Sequence, residues 1–110
     1  MARDKVTRSS GNVFADIGIA NASEHEIKAR IVLTLTRTIN VLEISQSEAA
    51  KRIGIAQPDL SKILRGNFSG FSLERLLTAV RKLGSDIDIK IKAPRKQDAE
   101  HEGTLRLVTA

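Results

Sequence analysis

Pro58, Ser61, Lys62 and Arg65 stand at i, i+3, i+4 and i+7, the spacing of one helical face, and Gln57 directly precedes them. Between them they supply an amide, a hydroxyl, an ammonium and a guanidinium. No carboxylate joins them, although Asp59 lies toward one side. Such a face donates hydrogen bonds and neutralises anions. Its natural targets are phosphate oxygens and the acceptor-bearing edges of bases.

Other chemistries find little support. The 110 residues include no cysteine, so disulfides, thiolate catalysis and cysteine-based zinc sites are excluded. His25 and His101 are isolated and outside any HExxH pattern, so no metal site is expected. Glu100 and Glu102 flank His101 in a polar tail and read as solubilising. No phosphate-cradling glycine loop, nucleophile elbow or paired carboxylates occur, so neither catalytic residues nor a cofactor are expected. The net charge of +5 suits nucleic acid, an anionic membrane or an acidic protein. No run approaches the roughly 18 apolar residues of a membrane span. The N-terminus has no apolar signal core. A soluble, cytoplasmic protein with no membrane partner is the expectation.

The face needs a helix, and the helix needs a support. Residues 24–42 carry Ile27, Ile31, Leu35, Ile39 and Leu42 at helical spacing, entered from Ser23. Ser45 with Glu48 has the capping-box pattern and starts a short helix holding Ala49, Ala50 and Ile53; Gly54 stops it. Gln57-Pro58 opens the next, with Pro58 expected at its first position. Leu60, Ile63 and Leu64 form its inward face, and Gly66 closes it. After the loop 67–71, Ser72 caps a fourth helix whose stripe is Leu73, Leu76, Leu77, Val80 and Leu83; Gly84 ends it. Phe68 and Phe71 are expected to pack beneath the loop.

The period then changes. Residues 86–92, DIDIKIK, alternate strictly, and this predicts a β-strand with Ile87, Ile89 and Ile91 on one face. Residues 93–103 are polar and read as a mobile tail. Residues 104–108 suggest a weaker second strand. The expected organisation is an arm over 1–22, with an apolar turn at Val13, Phe14, Ile17 and Ile19, a helical domain over 23–84, and strands with a tail over 85–110.

Two short helices around a glycine-containing turn make a helix-turn-helix. Residues 46–66 resemble that unit in lambda-repressor-like (XRE-type) regulators. The family pattern has Gln opening the first helix, Ala at its fifth position, Gly at its ninth, Gln opening the second helix and an aliphatic residue three further on. Here these are Gln46, Ala50, Gly54, Gln57 and Leu60. The implied fold is mainly α, a lambda-repressor-like bundle of four to five helices with a C-terminal β-strand or hairpin used in dimerisation. A narrower resemblance lies in GNVFADIGI, FSLERLL, DIDIKIK and GTLRLV. These are similar to HigA-like antitoxins of bacterial toxin–antitoxin modules, which bind a RelE-like toxin and repress their own operon.

The resemblance implies double-stranded operator DNA as a partner. By it, Gln46 holds a phosphate and braces Gln57, which reaches adenine or a phosphate. Ser61 and Lys62 touch base edges, with Lys62 favouring guanine. Arg65 and Asn67 grip the backbone, and Arg52 adds charge. Pro58 departs from the base-reading polar residue of many relatives; it can pack on a thymine methyl but cannot donate. A lone strand is unstable without a partner. Dimerisation through residues 85–92 is therefore expected, with Ile87, Ile89 and Ile91 meeting a second copy in a homodimer; the alternative is an intramolecular hairpin with residues 104–108. Other readings are a stand-alone phage-type regulator, and an interaction module that keeps the scaffold without binding DNA.

Overall fold

The computed structural model describes residues 23–98, 100 and 102–109. Four α-helices follow in chain order: α1 (Glu24–Leu42), α2 (Gln46–Ile53), α3 (Gln57–Leu64) and α4 (Leu73–Lys82). They belong to one compact unit, Glu24–Ala93. The arm expected over 1–22, with Val13, Phe14, Ile17 and Ile19, lies outside the described residues, as does His101.

Local signals start the helices. Ser45 Oγ accepts the Glu48 N–H at 3.0 Å, and Ser72 Oγ accepts the Arg75 N–H at 3.1 Å. Each satisfies a donor that a helix N-terminus leaves orphaned. Only half of the capping box forms, because the Glu48 carboxylate turns forward to Arg52. Pro58 is the second residue of α3, after Gln57, so the helix opens one residue earlier than expected.

One device ends all four helices. The residue after the last turn takes a positive φ: Glu43 at 55°, Gly54 at 89°, Gly66 at 99° and Gly84 at 111°. The next N–H then returns to the carbonyl five residues back, Ile44 to Ile39, Ile55 to Ala50, Asn67 to Lys62 and Ser85 to Val80. This is the Schellman closure.

α1 packs on α4 and α2 on α3, with further contacts from α2 to α4 and from α1 to α3. Leu35, Leu60, Ile63 and Leu76 are the largest fully buried side chains and come from α1, α3 and α4. Burying such a side chain stabilises the fold by roughly 1.5–3 kcal/mol. Ile27, Ile31 and Ile39 are buried as expected, and Val32 joins them. Leu42 does not; it is 38% exposed, because α1 runs past the core after Ile39. Phe68 is buried, whereas Phe71, Leu64, Leu73 and Leu77 are half-buried.

The expected β-structure is absent among the described residues. Residues 85–95 have no ladder, and neither do the described residues of 102–109; beyond Ala93 the described regular structure is a single 3₁₀ turn, Lys96–Asp98. Ile87 is half-buried, but Ile89 is 78% and Ile91 90% exposed. Alternation specifies a face. A strand also needs backbone partners, and among the described residues none is offered to residues 86–92.

Candidate nucleic-acid interface

The joint between α2 and α3 has three residues, Gly54, Ile55 and Ala56. Gly54 donates to the Ala50 carbonyl at 2.8 Å, closing α2 in the left-handed conformation that glycine adopts without strain. Ala49 is fully buried and Ala50 3% exposed, so α3 lies close against α2. Ala56 is the N-cap of α3 and provides no side-chain hydrogen bond. Its carbonyl accepts the Asp59 and Leu60 N–H groups. Asp59 complements the positive end of the helix.

This packing fixes the rotation of α3. With Leu60 and Ile63 turned inward at 0% and 2% exposure, the opposite face is left to solvent. Gln57, Pro58, Lys62 and Arg65 are exposed, and Ser61 is half-buried between them. Within the face, Arg65 Nη1 donates to Ser61 Oγ at 2.8 Å.

The remaining expected residues surround this face in sequence. Gln46 is the first residue of α2 and is exposed; among the described residues no hydrogen bond joins it to Gln57. Arg52 lies at the other end of α2, where its Nε donates to Glu48 Oε2 at 3.0 Å. The Glu48 carboxylate offsets part of the charge that Arg52 brings. Asn67 is exposed in the loop after α3, and its N–H is held by the Lys62 carbonyl at 2.9 Å.

Two contacts at this loop escaped sequence reasoning. The His25 ring stacks on Phe68 at 5.0 Å and 23°. The Arg75 guanidinium lies 4.8 Å from the centroid of Phe71. They tie the loop carrying Asn67 to the starts of α1 and α4. The second pair is only four residues apart and could have been read. The first joins residues 43 positions apart, with no local signal.

The arrangement presents hydrogen-bond donors and positive charge on a convex helix without an acidic neighbour on the same face. It contains no group of three or more histidine, cysteine or acidic side chains able to hold a metal among the described residues. No described helix is long and apolar enough to cross a membrane.

Comparisons with known proteins agree with this geometry. Residues 13–92 match the model of a helix-turn-helix domain family. A solved structure assigned to the XRE family of transcriptional regulators superposes with a TM-score of 0.68 at 32% identity; the alignment covers 79% of this chain and 96% of the other. No curated protein matches the sequence. A joint built on Ala50 and Gly54, an outward polar α3 and a family match across most of the sequence give one conclusion: the chain belongs to the XRE-type helix-turn-helix family.

Proposed function

We propose that the protein is a sequence-specific DNA-binding repressor that acts as a homodimer and is the antitoxin of a RelE-like toxin. The observation that carries the DNA reading is the open face of α3. Lys62, Arg65 and Gln57 are exposed there, while Leu60 and Ile63 anchor the helix to the core. α3 enters the major groove, where Ser61 and Lys62 meet base edges and Pro58 meets a thymine methyl. Gln46, Arg65 and Asn67 bind phosphates, Gln57 meets adenine or a phosphate, and Arg52 adds charge; the cationic contacts supply a large share of the affinity.

A single α3 reads too few base pairs to specify an operator. A two-fold dimer places a second copy one helical turn away, about 34–36 Å along the duplex. The dimer contact is assigned to residues 85–92, where Ile89 and Ile91 stand exposed beside half-buried Ile87. The antitoxin role rests on the resemblance of the sequences flanking the helix-turn-helix.

The test is a gel-shift titration against the promoter of the protein's own operon. Replacing Lys62 and Arg65 together with Ala should abolish operator binding at fixed salt while the helical circular-dichroism signal persists. Unchanged affinity would overturn the DNA reading. Co-purification with the product of the adjacent gene tests the toxin partner separately; its failure leaves a stand-alone regulator.

A further inference from the structure

The segment Asp86–Lys92 runs without helix, turn or bend, and among the described residues its backbone makes no hydrogen bonds. In an extended chain, successive side chains point to opposite faces. One face therefore holds Ile87, Ile89 and Ile91, and the other holds Asp86, Asp88, Lys90 and Lys92, all four exposed. The charges are segregated, with acids first and lysines last. That order distinguishes between the possible partners.

We infer that this segment pairs with the same segment of a second copy as an antiparallel strand centred on Ile89. The inference rests on the dimer reading above and adds its register. In that register Asp86 lies opposite Lys92 of the other copy, Asp88 opposite Lys90, Ile87 opposite Ile91, and Ile89 opposite itself. Each charged residue meets its opposite, and each isoleucine meets an isoleucine.

Every neighbouring arrangement is worse. Parallel in-register pairing sets aspartates beside aspartates and lysines beside lysines. A centre on Asp88 or Lys90 puts that residue against its own copy. A shift that pairs odd with even positions sets isoleucines against charges and turns one apolar face outward. Like charges directly opposite are destabilising in a ladder, and opposite charges are favourable. The pairing also satisfies the open backbone edge. It brings Ile91, 90% exposed in one copy, onto Ile87, which is already half-buried.

Sedimentation of the full chain at tens of micromolar tests the register. The wild type should be dimeric. Asp86→Lys with Asp88→Lys leaves a segment bearing four lysines, and Lys90→Asp with Lys92→Asp leaves one bearing four aspartates. Each variant alone should weaken self-association, roughly tenfold or more for four reversed cross-strand pairs. Mixed together they should form a heterodimer. The chain carrying all four changes restores every pair in swapped sense and should dimerise as the wild type does. A dimeric wild type whose charge variants associate unchanged would overturn the register and leave the dimer standing on another surface. A wild type that is monomeric throughout would overturn the dimer reading and the register together.

Discussion

Arg65 donates from Nη1 to the hydroxyl oxygen of Ser61, one helical turn earlier, at 2.8 Å. A guanidinium can only donate, so this bond occupies an acceptor site on the serine. The serine's own proton remains. Thr34, Thr36 and Thr38 of α1 give theirs to carbonyls four residues back, at 3.1, 3.0 and 2.8 Å. Among the described residues no such acceptor takes the proton of Ser61. A charged donor on Oγ also strengthens the hydroxyl as a donor. Ser61 is thereby biased toward giving a hydrogen bond outward.

For the groove-bound α3 proposed above, the base beneath Ser61 should offer an acceptor: guanine O6 or N7, adenine N7 or thymine O4. Cytosine, which offers an amino donor, should be disfavoured. Binding to duplexes changed one base pair at a time should show a loss of roughly tenfold or more for cytosine at one position. Ser61→Ala should flatten that preference without altering the salt dependence. Arg65→Lys keeps the charge but loses the planar fork, so it should flatten the same position and retain the salt slope. If Arg65→Lys leaves base preference intact at every position, Arg65 does not orient Ser61.

Ala50 is buried on α2, the helix that packs against α3. At 3% exposure it has little room to grow. Ala50→Leu should destabilise the domain by about 1–3 kcal/mol through overpacking. Urea titration followed by helical circular dichroism measures this. Operator affinity at a temperature where the variant remains folded should also fall, because displacement of α3 changes the angle at which its polar face is presented. A variant equally stable and equally tight would show that the contact is loose.

The helices were legible because their beginnings and ends are chemical: Ser45 and Ser72 accept the N–H groups they should, and Gly54, Gly66 and Gly84 adopt the positive φ that suits them. The outward face of α3 followed from Leu60 and Ile63 at helical spacing. What was not legible was anything that depends on tertiary placement. Leu42 fits the stripe of α1, but no sequence pattern says where the core ends. Ile87, Ile89 and Ile91 define a face correctly, yet alternation names no strand to pair with. The stack of His25 on Phe68 depends on tertiary placement alone. The pairing of Arg52 with Glu48 was readable at i, i+4 spacing, and it tempers the charge expected of Arg52.

Gly54 tests the turn without disturbing packing. A Cβ built there meets nothing within 4 Å, so Gly54→Ala adds no clash and isolates the cost of φ at 89°. That cost is about 1–2 kcal/mol for a residue with a side chain. Gly54→Asn should cost less, since asparagine tolerates this region. A loss for alanine well above that range would mean that the turn has shifted and that the joint depends on more than backbone freedom.

Glu43 is the exception among the four helix ends. It holds φ at 55° where the other three ends use glycine, and the Ile44 N–H still closes on the Ile39 carbonyl, at a long 3.4 Å. A side chain in the left-handed region costs about 1–2 kcal/mol, offset in part by the greater freedom glycine has when unfolded. Glu43→Gly should therefore stabilise the domain by about 1 kcal/mol, a rise in Tm of about 4–8 °C for a unit of this size. Glu43 is exposed and forms no ion pair among the described residues, so little opposes the gain. Glu43→Ala is the control: it removes the carboxylate, keeps the Cβ and should leave Tm nearly unchanged. Equal gains from both variants would assign the effect to charge and leave the strained backbone without a measurable cost.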